Sequence, residues 1–348
     1  MATLTGRENF ARVLNGQTPE WVPSYSYYGP LPGVDGPPPN QMMMLMPLAG
    51  DMFNPEAEEP RDLWGVPYTS VEMVGGFSLP TPNKFILTDI TKWRDIVKIP
   101  DHLKDFDWKA CAEDGLKHLF YDREECGVWF GPGGMGFFMQ LMGLMGFTEG
   151  LTAMLEEPEE VKALFDYMHQ FYYGIAKQVI DIIKPDVITL ADDAAAERAP
   201  FISPEMYREF LLPLFKDYTW LATERGIPVN MHLCGRGEDF LPDLIKIGVN
   251  SWEPVQLSND IDGLQKRYGR HLCIGGGWEG RGRLTELDVT DEEIRQSARD
   301  SIDRFAGEDK GFFFAAAYTP GAINDERTAH WNEVLQKEVW DYGHKFFK

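Results

Sequence analysis

The second half of the chain alternates short apolar strands with amphipathic helices, and this alternation limits the folds that it can adopt. The predicted strands cover residues 186–190, 229–232, 249–253, 271–276 and 311–316. The predicted helices cover residues 203–225, 239–247, 262–268, 291–305 and 324–346. Such alternation is typical of parallel βα units. Since a length of 348 residues fits an eight-fold barrel better than an open sheet, we predict one α/β domain over residues 1–348, a single (β/α)₈ TIM barrel.

The first half is less regular. An aromatic run at 21–28 predicts the first strand, and residues 127–132 predict another, followed by a glycine-rich loop at 133–136. Residues 31–60, rich in Pro, Met and Gly, are too long for a plain connector, which leaves a functional loop, a lid or a packed surface loop. Residues 64–68 and 84–87 suggest a hairpin. The barrel is therefore expected to carry a long N-terminal loop and hairpin insertion.

Charge and cysteine content exclude several classes of function. The formal net charge of −22 opposes binding to nucleic acid and to anionic membranes. The four cysteines form no CxxC pair, and the chain has neither an uninterrupted apolar run of membrane-spanning length nor a secretory signal at its N-terminus. We therefore expect a cytoplasmic protein. A substrate with many carboxylates would need a dedicated basic pocket, whereas a neutral aromatic substrate would not.

The strand at 229–232 ends in a sequence that can bind metal. His232 and Cys234 are two residues apart, so their side chains point to the same face, and both are good zinc ligands. The alternative is a core histidine beside a buried free thiol. Because the next strand should lie beside this one, its last residue, Glu253, is the first choice for an oxygen ligand. Cys273 is the alternative, although it is expected below the rim as a structural thiol.

Polar and aromatic residues accumulate at the other strand ends as well. In barrels of this type the carboxyl ends of the strands build the active site. Asp192 is predicted to be catalytic, together with His232 and Glu253, although one member of the Asp192–Asp193 pair could instead cap a helix. The residues predicted to bind substrate are Tyr27, Asp193, Gln256 and Trp278.

Several segments resemble the uroporphyrinogen decarboxylase superfamily. They include residues 191–193 (ADD), 201–207 (FISPEMY), 231–235 (MHLCG), 241–250 (LPDLIKIGVN) and 274–276 (IGG), with 7–10 (RENF) and 14–16 (LNG) near the start. The resemblance implies a (β/α)₈ barrel. It departs from the decarboxylase itself, whose N-terminal arginine motif grips propionate groups, because residues 22–39 contain no Arg or Lys.

The His-x-Cys sequence is similar to that of the zinc-dependent, corrinoid-linked methyltransferases of this superfamily. Those enzymes carry a further cysteine near the last strand, and residues 315–321 contain none. The resemblance therefore implies transfer of a methyl group from a small donor, an aryl methyl ether, to the cob(I)alamin of a partner corrinoid protein. Zinc would activate the leaving-group oxygen. The alternative is decarboxylation of a smaller carboxylated substrate.

Overall fold

The computed structural model describes residues 4–26, 29–52, 54, 56–71, 77–133, 136–318 and 326–348. Its central feature is a parallel sheet that curls on itself. In chain order the strands are β1 (Asn40–Met43), β2 (Tyr68–Val71), β3 (Phe77–Pro80), β4 (Gly127–Phe130), β5 (Val187–Ala191), β6 (Val229–His232), β7 (Ser251–Val255), β8 (Cys273–Gly276) and β9 (Gly311–Phe313). Seven of them pair in parallel in the order β1-β4-β5-β6-β7-β8-β9, while β2 and β3 form a separate antiparallel pair.

The segment around residues 23–26 completes the barrel between β9 and β1. Tyr25 donates its backbone N–H to Phe314 at 2.7 Å, and Phe314 donates to Pro23 at 2.8 Å. On the other side, Ser26 and the Asn40 side-chain amide exchange two hydrogen bonds of 2.9 Å. This segment therefore occupies an eighth strand position, which satisfies the edges that an open sheet would expose. The predicted (β/α)₈ barrel fold is confirmed.

Helices surround the sheet. They are α1 (Gly6–Leu14), α2 (Trp93–Ile96), α3 (Asp101–Lys104), α4 (Trp108–Lys117), α5 (Phe137–Met145), α6 (Phe147–Glu156), α7 (Pro158–Ile183), α8 (Pro204–Phe210), α9 (Leu212–Thr223), α10 (Leu241–Ile247), α11 (Ile261–Tyr268), α12 (Asp291–Phe305) and α13 (Glu326–Gly343). Side-chain capping determines where several of these helices begin. Thr5 and Glu8 form a capping box, and the Ser203 hydroxyl accepts from the Met206 N–H.

Two expectations for the first half were wrong. Residues 40–43, expected within a loop or lid, form β1 in the central sheet, because Asn40 pairs with Gly127 and the Asn40 side chain bonds to Ser26. The hairpin strands are β2 and β3 rather than residues 64–68 and 84–87. Ile86 and Leu87 instead donate their N–H groups to the Leu144 carbonyl near the end of α5. This stretch therefore bonds to the end of a helix and not to a second strand.

Buried residues divide into two clusters, separated by the sheet. The smaller cluster fills the inside of the barrel and includes Phe10, Tyr25, Trp129, Val187 and Phe313. The larger cluster lies between the sheet and the helices. No helix in the described ranges is long and apolar enough to cross a membrane.

Candidate metal and substrate site at the strand ends

The site begins where β6 and β7 run side by side, with His232 and Glu253 in register. His232 Nδ1 lies 3.0 and 3.1 Å from the two carboxylate oxygens of Glu253. Glu253 is completely buried, whereas His232 is partly exposed. Burial opposes the charged ring, but the Glu253 carboxylate and the Cys234 side chain together outweigh it, and the pKa of His232 is raised well above its ordinary value. Glu253 therefore orients the imidazole through Nδ1 and leaves Nε2 directed elsewhere.

A buried polar network holds Glu253 in turn. Asn230 Nδ2 donates to Glu253 Oε1 at 3.0 Å, and Ser251 Oγ donates to Asn230 Oδ1 at 3.0 Å. Asn230, Ser251 and Glu253 are all fully buried inside the barrel. A buried carboxylate is costly unless such donors surround it, so Asn230 and Ser251 support its position. Sequence reasoning missed both residues, although they are polar and lie two residues before His232 and Glu253 on neighbouring strands, which places them on the same inward face and was a usable signal.

Three potential metal ligands, one of them the His232 imidazole itself, come together at the end of β6. Cys234 Sγ is 3.8 Å from His232 Nε2. Ligand atoms of Asp193, His232 and Cys234 all lie within 4.8 Å of one another. Burial raises the pKa of the Cys234 thiol. Nitrogen and sulfur ligands of one tetrahedral zinc ion are about 3.6 Å apart, so the observed pair fits shared coordination.

The two predicted carboxylates, Glu253 and Asp193, contact different parts of the site from those expected. Glu253, expected to complete the metal set, contacts the ring nitrogen that faces away from Cys234, where it can act as the outer carboxylate that orients a histidine ligand. Asp193, expected to bind substrate, is the carboxylate of the three-residue group. Its Oδ1 also accepts the Cys234 N–H at 2.7 Å, which ties the end of β5 to the turn after β6.

The turn after β6 is fixed from β7 as well. Gln256, expected to bind substrate, accepts the Gly235 N–H through Oε1 at 3.0 Å, and Asn259 Nδ2 donates to the Gly235 carbonyl at 3.0 Å. Gly235 has a φ of +89°, and a Cβ there would lie 2.5 Å from the Ala195 carbonyl oxygen. Only glycine fits this close turn, so the position of Cys234 depends on it.

Asp192, predicted to be catalytic, lies at the start of a helix. Its carboxylate accepts the N–H groups of Phe137 and Phe138 at 2.9 Å and of Met139 at 3.1 Å, all in the first turn of α5. Burial raises the pKa of Asp192 to about 7, against the lowering effect of these three donors. Since Asp192 is buried and is not among the described residues that line the central cavity, its contacts indicate a helix-anchoring role.

Trp278 and Cys273 lie away from the imidazole. Trp278 is buried, donates from Nε1 to Ser297 Oγ at 2.9 Å and packs against Tyr318, so it belongs to the layer around α12. Gly276 and Gly277, both with positive φ, turn the chain into that layer. Cys273 belongs to the cluster inside the barrel. Tyr27 lies outside the described residues.

A cavity of about 170 Å³ adjoins His232 and Glu253. The residues that line it inside the barrel include Tyr25, Met42, Thr189 and Ala191. Its walls are mostly aromatic and methionine side chains, and among the described lining residues there is no Lys or Arg. Met42 on β1 and Met44 just after it both contribute to this lining.

The cavity continues sideways through the barrel wall. β4 and β5 pair only at Trp129–Val187 and Phe130–Ile188, after which the chain leaves β4 through Gly131. Beyond that gap the cavity is lined by five side chains of the layer between sheet and helices, here called the lateral arm: Phe137, Leu190, Tyr172, Phe215 and Tyr218. Sequence reasoning missed these residues, because aromatic content alone does not distinguish a cavity wall from a core.

Geometry of this kind defines a class of proteins, the parallel βα barrels whose ligand site is built on the carboxyl ends of the strands. Comparisons with known proteins make the assignment specific. The family model for uroporphyrinogen decarboxylase (URO-D) matches residues 131–319, which is more than half of the chain. The chain belongs to this family, as its motifs predicted.

A solved structure described as a methyltransferase from Methanosarcina mazei is similar over almost the whole barrel. It has a TM-score of 0.64 and 15% identity, and the match covers 97% of this chain and 99% of that chain. At this identity it supports the fold. A structure of Dispersin B matches with a TM-score of 0.32 and 10% identity, over 67% of this chain and 75% of that one, which is too weak for any argument. The comparison with curated protein sequences gives no match.

Proposed function

We propose that the protein is a methyltransferase that moves a methyl group from a small donor, an aryl methyl ether, to the cob(I)alamin of a corrinoid protein. The observation that carries this proposal is the grouping of His232, Cys234 and Asp193 beside an apolar cavity that His232 also lines. The structurally similar protein described as a methyltransferase adds support at the level of the fold.

The donor set fits zinc. One imidazole nitrogen, one thiol and one carboxylate are all zinc ligands, and three protein ligands are the usual number at a catalytic zinc site. When bound, zinc would supply Lewis acidity to the ether oxygen, which is otherwise a poor leaving group. The methyl group moves from oxygen to cobalt, and the oxygen keeps the electron pair of the broken bond.

The protein's own residues prepare this site. Glu253 accepts the Nδ1 proton of His232 and so leaves Nε2, on the side of Cys234, as the nitrogen that would bind zinc after losing its proton. Asp193 and Gln256 hold the backbone on either side of Cys234. The apolar walls exclude water from the ether. A decarboxylase would have to bind a carboxylate, and the described lining offers no Lys or Arg for one.

Metal analysis and a methyl-transfer assay test the proposal together. Wild-type protein should retain close to one zinc per chain and methylate cob(I)alamin from 2-methoxyphenol. His232→Ala and Cys234→Ala should each lose both properties, whereas Cys111→Ser, which changes a thiol on α4, should keep both. The metal role is excluded if chelated, zinc-free protein remains active, and methyl transfer is excluded if carbon dioxide is released without any corrinoid.

A further inference from the structure

The lateral arm has no part in the chemistry at the strand ends, yet it is continuous with the cavity there. Val187 belongs to the cluster inside the barrel, so alternation along β5 turns Thr189 inward and Leu190 outward toward the helices. Both residues line the same cavity, as do His232 and Tyr218. One ligand can therefore extend from His232, past Thr189, into the layer between sheet and helices.

Resting on the proposed function, we infer that the lateral arm binds the ring of the methyl donor, and that this ring is uncharged and carries a hydroxyl group. The size of the cavity is suitable, since an apolar cavity of about 150 Å³ holds benzene and this one measures about 170 Å³. Phe137, Tyr172, Phe215 and Tyr218 surround the arm, and aromatic rings pack well against another ring.

The charges around the cavity exclude an acidic ring. Among the described lining residues the ionisable acid is Glu253, which lies within reach of His232, and no Lys or Arg is present. The whole chain also carries a formal net charge of −22. A benzoate would leave water and find no Lys or Arg beside the lateral arm to compensate its charge, which is costly in an apolar site. A neutral phenol would lose far less on entry.

Two hydroxyl groups belong to lining residues and lack protein partners. Thr189 Oγ1 and Tyr218 OH are buried, and neither forms a hydrogen bond with the described residues. Burial raises the pKa of Tyr218 well above its ordinary value, so the phenol remains a proton donor. A buried polar group without a partner costs about 1–3 kcal/mol. A hydroxyl on the ligand can form a hydrogen bond with either of these groups, whereas an unsubstituted ring cannot.

Calorimetric binding of three ring compounds, without any corrinoid, tests the inference. The probes are 2-methoxyphenol, methoxybenzene and 4-methoxybenzoate. We expect 2-methoxyphenol to bind most tightly and 4-methoxybenzoate at least tenfold more weakly. Thr189→Val and Tyr218→Phe remove only a hydroxyl, and each should weaken 2-methoxyphenol binding about two- to tenfold while leaving methoxybenzene unchanged. Tyr173→Phe is the control, because Tyr173 neighbours Tyr172 on α7 without lining the cavity.

A variant with a larger side chain in the lateral arm tests whether the ring of the ligand binds there. Phe215→Trp should occupy the lateral arm and reduce the binding of every ring probe at least tenfold, while the zinc content stays at the wild-type level. Equal binding of the phenol and the benzoate, or unchanged phenol binding in both hydroxyl variants, would overturn the inference. Ring binding with these variant effects but no methyl transfer would refute the proposed function alone. Methyl transfer without ring binding in the arm would refute this inference alone.

Discussion

The two sides of the cavity are built in opposite ways. Between β6 and β7 the barrel interior is polar, and Ser251, Asn230, Glu253 and His232 form a continuous series of contacts. Between β4 and β5 the strands pair at two positions and then separate, and the walls are aromatic. The difference indicates that the two sides have different roles. The polar side holds the reacting groups in position, and the apolar side binds the apolar part of a ligand.

The gap between β4 and β5 is itself held in place by a specific contact. Asp192, just after β5, accepts three N–H groups from the first turn of α5, and α5 follows the loop that leaves β4. Gly136, with φ of +96°, precedes that turn, and a Cβ there would lie 2.5 Å from Asp192 Oδ1. The apolar side is therefore anchored at its margin rather than loosely packed.

The largest expected effect is the loss of that anchor. Asp192→Ala leaves the first-turn N–H groups of Phe137, Phe138 and Met139 buried without an acceptor. We expect the free energy of unfolding, measured by urea denaturation, to fall by about 2–4 kcal/mol. Asp107→Ala is the matched control, because Asp107 caps α4 at an exposed position through the Ala110 N–H, and it should cost only about 1 kcal/mol. Equal losses would show that the buried anchor adds nothing to an ordinary cap.

A substitution on the polar side of the cavity should lower the affinity of the site for metal. Glu253→Gln removes the charge that faces His232 Nδ1 and places an amide where Asn230 also donates. Loss of such an outer carboxylate typically reduces metal affinity 10- to 100-fold. Titration with cobalt(II), followed by its visible absorbance, measures this change. Glu338→Gln, at an ion pair with Arg299, is the control and should leave the affinity unchanged. An unchanged affinity in Glu253→Gln would mean that Glu253 does not tune the histidine.

The fold was largely predictable because its periodicity is local. Strand and helix alternation after residue 186 sets the barrel, and the structure has β5 to β9 where that pattern placed strands. The strand β1 escaped prediction because only four residues, Asn40–Met43, lie in it, within a segment rich in Pro and Gly. Its membership of the sheet depends on pairing with β4 and on the amide of Asn40, which are contacts distant in sequence.

The residues that form the site were largely predictable from the sequence, whereas the contacts that each of them makes were not. Two-residue spacing predicted His232 and Cys234 on one face, and strand order predicted Glu253 beside them. Spacing does not specify which ring nitrogen a neighbour contacts, so Glu253 was expected at the metal and Asp193 at the substrate. The contacts of Asp192 could not be predicted for a similar reason, since its partners are N–H groups of a helix more than fifty positions earlier. Tertiary contacts decide these roles.

The smallest effect that we predict is a loss of metal affinity when the turn after β6 is weakened. Gln256→Leu keeps a similar volume but removes the acceptor of the Gly235 N–H, while Asn259 still donates to the Gly235 carbonyl. Because the restraints from Asn259 and from Asp193 on the turn remain, we expect cobalt(II) affinity to fall only about fivefold, which corresponds to about 1 kcal/mol. Gln170→Leu, at an exposed position on α7, should have no effect. A loss as large as that of Glu253→Gln would instead place Gln256 among the groups that define the metal site directly, and the polar side would then extend beyond the inward faces of β6 and β7.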